Sequence, residues 1–372
     1  MEDLTRRDVV KAATGAAVAA LTPGGLVARA PAVRGRRFSP RLRFGVVGIN
    51  HGHIYGMTDA VIRGGGELVS VYAAEPDLRA AYAARYPQAR LASAEREVLD
   101  DGSIQLVLSS IIPDQRAPLG IRAMQHGKDY LTDKPGIVTL EQLDEVRRVQ
   151  AATRRIYGIA YSERFENRAT VRAGDLVQAG AIGEVIQTLG VGPHRIHPPD
   201  RPDWFWDPAR YGGIICDIGS HQFDQFLFFT RSTRGTIVAS QVRNVRHPEH
   251  PAFEDFGDVM VRGNGGTGYI RLDWFTPAGL PTWGDGRLTI LGTNGYIEVR
   301  KNVDIAGRPG ADHLFIADAD SVRYVESADV ALPFGPLFVD DVLNRTETAM
   351  TQAHCFLATE LALRAQRQAQ RV

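Results

Sequence analysis

Three residues have the types and the spacing to move a proton: Lys134, Asp217 and His221. Lys134 stands in Thr132-Asp133-Lys134-Pro135, in a chain where only four of the 43 Lys+Arg residues are lysines (Lys11, Lys128, Lys134 and Lys301). A lysine kept where arginine is the habit supplies a compact, titratable charge that a guanidinium does not. Such an ammonium can hold a substrate hydroxyl and stabilise the alkoxide as hydride leaves. Asp217 and His221 are four residues apart in an apolar stretch. A helix there puts them on one face, with Asp224 continuing it and Ile215, Ile218, Phe223, Phe226 and Phe229 turned away. His221 titrates near working pH and can accept an alcohol proton. Asp217 is expected to orient or charge-stabilise either His221 or Lys134, and the base is either Lys134 or His221.

A second cluster sits near the start of the folded region. The apolar run 43–47 enters the turn Gly48-Ile49-Asn50-His51-Gly52-His53. Against G-x-G-x-x-G only the first glycine is in place, with Asn50 and His53 at the other two positions. Asn50 is expected to adopt the left-handed backbone that keeps the turn tight, leaving a pyrophosphate to rest on the following helix N-terminus. Glu75 comes 22 residues after His53 and suits the ribose hydroxyls of NAD while repelling a 2′-phosphate; Arg79 nearby keeps NADP as the lesser alternative.

The elements that must position these residues alternate strand and helix. Strands are expected over 43–47, 67–74, 104–112, 129–132 and 156–160, with helices over 54–63, 78–86, 117–125 and 140–153 between them. This is the signature of a doubly wound parallel sheet. Beyond it, strands at 185–191, 236–245, 258–262, 268–274, 287–291 and 296–300, with turns at Asn264-Gly265-Gly266 and Thr293-Asn294-Gly295, predict a large, mainly antiparallel sheet. Ile270, Leu272 and Trp274 alternate with Arg271 and Asp273, one dry face against one wet face. Helices at 337–343 and 348–367 close the chain. The expected fold is thus α/β: an N-terminal Rossmann domain over 42–163 and a C-terminal α+β domain over 164–372.

Four segments in this order, the glycine turn, Thr132-Asp133-Lys134-Pro135, Ala181-Ile182-Gly183-Glu184-Val185 and 212–221 (GGIICDIGSH), resemble the Gfo/Idh/MocA family of oxidoreductases. The resemblance implies an NAD(P)-dependent enzyme acting on a carbohydrate or polyol, with Lys134, Asp217 and His221 as its catalytic set. It carries the cofactor onto Gly48, Ile49, Asn50, His51 and Glu75, and onto Pro113, Asp133, Lys134 and Arg164. The chain departs from the family in having Asp133 where E-K-P is usual, and Ile112-Pro113-Asp114 where threonine and asparagine usually flank the proline. The family often forms homodimers or homotetramers through its open sheet, which is the expectation here too.

The segment 194–206 (HRIHPPDRPDWFW) carries aromatic rings that can stack on sugar faces, with Arg and His as hydroxyl donors. Substrate-binding roles are expected for His194, His197, Trp204 and Trp206 together with His221; the alternative is that the Trp and Pro cluster only pins a loop. His51, His53, His194, His197 and His221 could converge with Asp217 on a divalent ion. No helical H-x-x-x-H spacing supports this, and no metal is expected.

Composition narrows the remaining classes. Lys+Arg and Asp+Glu are equal at 43 each, which argues against a nucleic-acid binder with a broad basic surface. Two cysteines make no disulfide framework. The charge is uneven: residues 1–41 hold eight cations and three acids, leaving a body with 35 against 40. Thr5-Arg6-Arg7-Asp8-Val9-Val10-Lys11, the Ala-rich run 12–21 and Ala28-Arg29-Ala30 have the order of a signal peptide and resemble the twin-arginine export signal. The expected layout is a leader over 1–30 and a tether over 31–41, the run being too short for a membrane span. Export to the periplasm or beyond implies a tightly held cofactor recycled in place, by exchange between two sugars or by a redox-neutral glycosidase or lyase cycle. The competing readings are a cytoplasmic dehydrogenase, if the leader is no signal, and a non-catalytic sugar or nucleotide sensor.

Overall fold

The computed structural model describes residues 41–372, so the leader and nearly all of the tether lie outside the described residues. Strands β1 (Leu42–Val47), β2 (Gly66–Tyr72), β3 (Arg90–Leu91), β4 (Leu106–Ser109), β5 (Asp129–Asp133) and β6 (Tyr157–Ala160) form one parallel sheet in the order β3-β2-β1-β4-β5-β6. β4, β5 and β6 are buried at every position, as strands covered by helices on both faces must be. The strand order reverses between β1 and β4, which opens a crevice at their carboxyl ends.

The second sheet has nine strands: β7 (Val185–Pro193), β8 (Gly235–Arg243), β9 (Phe256–Gly263), β10 (Thr267–Asp273), β11 (Arg287–Gly292), β12 (Gly295–Arg300), β13 (His313–Asp318), β14 (Val322–Val325) and β15 (Gln370–Arg371). Their order is β14-β13-β12-β11-β7-β10-β9-β8-β15. Pairing is antiparallel except for β7 with β10 and β8 with β15. β7 enters this centre as a parallel neighbour because the whole crossover 194–234, helix included, separates it from the later strands. Four strands were not legible beforehand: β3 and β15 are two exposed residues each, β13 follows a Gly-rich loop, and β14 has no buried residue to mark a period.

One face of this sheet is buried through Ile270, Leu272, Leu288, Ile290, Ile297 and Val299, whereas the other exposes Leu189, Met260, Leu291 and Tyr296. The buried face meets the helix Gly219–Thr230, in which eleven of twelve residues are buried, so every polar side chain on it must find a partner inside. Glycines bring that helix close: a Cβ at Gly192 would stand 2.8 Å from Ile218 and 3.0 Å from Gln222, and one at Gly219 would stand 2.9 Å from Leu272. The expected continuous helix is interrupted here. Ile214–Asp217 ends before Ile218, Gly219–Thr230 starts after it, and the His221 N–H bonds tightly back to the Ile218 carbonyl at 3.2 Å. Asp217 and His221 therefore do not form an i, i+4 pair on one helix. Among the described residues no helix is long and apolar enough to cross a membrane.

The close approach of β7 to this helix makes Gly192 a sensitive point. Gly192→Ala is expected to cost about 1–3 kcal/mol through overpacking, read as a lower urea midpoint with an unchanged slope. An unchanged midpoint would show that the contact can relax freely.

Candidate active site

The site grows from the carboxyl end of β5. Asp133 is fully buried and accepts from four groups: the Lys134 N–H at 2.7 Å, Arg116 Nη2 at 3.2 Å, His51 Nδ1 at 3.1 Å and His53 Nδ1 at 2.9 Å. Burial pushes its pKa up, but His53, Arg116 and the hydrogen bond from His51 hold it well below the usual carboxylate range. Arg116, itself 1% exposed, also donates to the carbonyls of Ile111, Lys134 and Pro135, so it ties the ends of β4 and β5 together. His51 is lowered to about 4, by burial first and then by repulsion from His53, so it is neutral at working pH. A neutral His51 bonded to Asp133 through Nδ1–H leaves Nε2 as an acceptor.

Lys134 lies directly after this hub. Its Nζ donates to Asp217 Oδ1 at 2.8 Å, and the side chains are only 5% and 14% exposed. Burial would raise Asp217, but the Lys134 ammonium overrides it and holds the carboxyl below its ordinary value. Asp217 is thus the partner of Lys134, not of His221. His221 is 2% exposed and its Nδ1 has no hydrogen-bond partner. Burial lowers it to about 3, Glu163 pulling up against the charges of Lys134, His53 and Lys301. Asp224 does not continue a catalytic face: it accepts both arms of the Arg164 guanidinium at 2.7 Å and His354 Nε2 at 2.8 Å. Arg164, expected at the cofactor, is held in that structural pair and stacked on Phe165 and Phe228.

Between the sheets opens a cleft of about 380 Å³. Its lining brings His51, His53, Pro113 and Lys134 together with Asp217, His194, His197, Arg195, Arg201, Trp204, Trp274 and Trp283. His221 is not among the lining side chains. Trp206 is absent too: its ring stacks on His250 at 4.0 Å and 11° and packs against Phe253, so it pins the loop while Trp204 faces the cleft. His194 is lowered to about 4 by burial and by Lys134, with Nδ1 3.1 Å from the Gly192 carbonyl.

At the glycine turn, Gly48 holds φ +75° and a Cβ there would stand 2.5 Å from Ile111, so the residue has to be glycine. Asn50 is not left-handed, as was expected; its amide instead donates to Glu75 Oε1 at 2.7 Å and braces the carboxylate at the end of β2. Gly52 caps the helix His53–Arg63, and a Cβ on it would meet nothing within 4 Å. A braced acid after β2, an open helix N-terminus and a turn at the strand-order reversal fit a dinucleotide. Among the described residues, His51, His53 and Asp133 are the one group with ligand atoms close enough for a metal, all within 4.8 Å. The donors of Arg116 and Lys134 already occupy Asp133, so the group is read as a hydrogen-bond hub. His194, His197 and His221 do not join it.

Two features escaped the sequence reading. Arg116 gave no signal beyond being one arginine among many. The buried pair Lys301–Glu163, completed by Gln222 and Gln225, lies behind His221. Lys301 was as rare a residue as Lys134, and that rarity was the available signal. Burial pushes Glu163 up, yet Lys301 and then His221 pull it down to about 2. Cys216 and Cys355 are buried free thiols, both pushed up by burial.

A Rossmann sheet facing an open nine-stranded sheet, with a lysine–carboxylate pair at the strand ends, defines a nicotinamide-dependent oxidoreductase. The chain belongs to the GFO/IDH/MocA family: the family's NAD-binding Rossmann fold matches residues 42–161 and its C-terminal domain matches 170–298. A crystal structure from Erwinia carotovora atroseptica SCRI1043, assigned to the oxidoreductases, is 46% identical with a TM-score of 0.87, covering 89% of this chain and 99% of that one. The 1,5-anhydro-D-fructose reductase of Ensifer adhaerens is 27% identical over 53% of this chain and 59% of its own length. The scyllo-inositol 2-dehydrogenase (NAD(+)) of Bacillus subtilis (strain 168) is 25% identical over 60% and 64%. The chain spans less than two thirds of the length of these two curated relatives.

The buried histidine makes stability pH-dependent. His221 has a folded pKa of about 3 against an ordinary 6.5, so the unfolded chain binds the extra proton between those values. Stability is full above pH 6.5 and falls as pH drops toward 3, with a slope of about 1.4 kcal/mol per pH unit for this one group. Denaturant midpoints across that range should fall less steeply in His221→Gln; an identical slope would mean His221 is not held neutral.

Proposed function

We propose that the protein oxidises or reduces a hydroxyl-bearing carbon of a carbohydrate or polyol with NAD. The observation carrying this reading is the Lys134–Asp217 pair, bonded at 2.8 Å, on the cleft wall beside the dinucleotide turn. A bound nicotinamide supplies the two-electron exchange. Lys134 donates an N–H to the reacting oxygen and stabilises the charge that grows there; Asp217 keeps the ammonium aimed. The proton acceptor is Lys134, on the cleft wall, or His221, neutral and buried behind the lining. His194 and Trp204 face the substrate, and Trp rings suit the apolar faces of a sugar. The names of the curated relatives, an anhydrofructose reductase and an inositol dehydrogenase, support this substrate class. Glu75 supports NAD over NADP, since a 2′-phosphate would meet its carboxylate.

The leader over 1–30 supports export by the twin-arginine route, and export in turn supports a cofactor that stays bound and is recycled in place. The exposed row Leu189, Met260, Leu291 and Tyr296 supports a second copy of the chain as partner across the open sheet.

The test is to purify the full chain from its exported compartment, weigh the nucleotide that comes with it, size the assembly by light scattering, and follow nicotinamide absorbance across a sugar panel without added cofactor. Bound NAD, a dimer or tetramer, and a rate that Lys134→Met lowers about 10²–10⁴-fold are expected. A Lys134→Met protein that turns over at the wild-type rate contradicts the assignment, and a requirement for continuously added NAD contradicts the recycled cofactor.

A further inference from the structure

The cleft carries an aromatic row that leads from its buried end to its mouth. Lys134 is 5% exposed and Trp274 6%, so both lie deep, whereas Trp283 is 50% exposed on the same lining. The His194 ring stands between the two tryptophans, 5.4 Å from Trp274 at 71° and 4.6 Å from Trp283 at 60°. Of the four tryptophans in the chain, Trp283 alone is exposed. A large aromatic ring held in water loses free energy that a ligand restores by covering it.

The loop 274–286, which joins β10 to β11, is bonded along its length to the cleft wall. The Arg195 N–H donates to the Trp283 carbonyl at 2.7 Å, and the Thr276 N–H to the His194 carbonyl at 3.1 Å. Arg195 Nη2 donates to the carbonyls of Pro277 and Leu280, so this guanidinium braces the loop. The Thr282 hydroxyl donates to the Gly284 carbonyl at 2.6 Å. A Cβ at Gly284 would stand 2.5 Å from the Pro193 carbonyl oxygen, so glycine is what lets the loop come this close. These bonds hold the Trp283 backbone in place before any ligand arrives, which lowers the ordering that binding must supply. We propose that the substrate is a glycoside: its reacting sugar lies deep beside Lys134, and a second sugar ring on its glycosidic oxygen stacks on Trp283. The apolar face of a sugar ring suits an indole face, and the exposed end of the row is where a second ring finds one. This rests on the reading of the cleft as the site of carbohydrate oxidation or reduction.

The test titrates the purified holoprotein by calorimetry with matched probes. Cellobiose is set against methyl β-D-glucoside, maltose against methyl α-D-glucoside and lactose against methyl β-D-galactoside, with phenyl β-D-glucoside as a separate arm. At least one disaccharide should bind about 10- to 100-fold more tightly than its methyl glycoside, the worth of covering the exposed half of a tryptophan. Trp283→Ala should bring that pair to within about 3-fold of each other. Trp283→Phe, which keeps a ring, should retain most of the preference, and both variants should melt at the temperature of the parent chain, as surface changes do. Equal affinity for every disaccharide and its methyl glycoside, or no binding of any disaccharide, overturns the inference. So does an equal loss of both classes in Trp283→Ala, or a preference that survives in that variant while the mass of the assembly changes, which places the ring in a subunit contact. Tighter binding of the phenyl glucoside than of every disaccharide overturns the second sugar as occupant. Failure of the oxidoreductase reading shows separately, as disaccharides that bind with the preference and leave nicotinamide absorbance unchanged.

Discussion

An ion pair largely shielded from water links the parallel sheet to the helices beneath the second sheet. Lys134 belongs to the end of the parallel sheet, Asp217 to the short helix that leads into the helix Gly219–Thr230 beneath the second sheet, and their contact at 2.8 Å joins the two. Removing one partner from such a pair costs about 3–5 kcal/mol, because it strands the other charge away from water. The surrounding groups keep both partners in place. Asp133 and Arg116 fix the backbone from which Lys134 extends, and the glycines of β7 let the helix lie close enough for Asp217 to reach across.

Electrostatic division of labour follows from this geometry. Asp133, Asp224 and Glu163 are buried and Asp217 is partly buried, and all four carboxylates are held below their ordinary values by cations beside them. The histidines His51, His194 and His221 are all lowered by burial and are neutral at working pH. Fixed ionic groups therefore hold the scaffold, while neutral imidazoles surround the cleft with acceptor capacity that a reacting hydroxyl can use.

Much of the fold was legible because its signals are local. Alternating apolar strands and helices give the parallel sheet, and Ile270 and Leu272 alternating with Arg271 give a sheet with one dry face. Lys134 was legible from the scarcity of its residue type, and Asp217 from a carboxylate in an apolar run. What was not legible depends on contacts distant in sequence. The interruption at Ile218 separates Asp217 from His221, and it coincides with the packing of Gly219 on Leu272, 53 residues away in the chain. Arg164 turns to Asp224, and Trp206 to His250, because those partners arrive from remote segments. The Asn50–Glu75 bond belongs to the same class: the residue types named a turn and an acid, and only the fold shows that one braces the other.

The central claim, that the Lys134–Asp217 pair ties the two halves of the molecule together, is tested most directly by a double-mutant cycle in equilibrium unfolding. Lys134→Met, Asp217→Asn and the double variant are compared with the parent chain in urea. The account predicts strong coupling, with the double variant more stable than Lys134→Met alone and an interaction energy of about 2–3 kcal/mol. Losses that simply add, to within about 0.5 kcal/mol, would contradict it and leave the two residues as neighbours without mutual dependence.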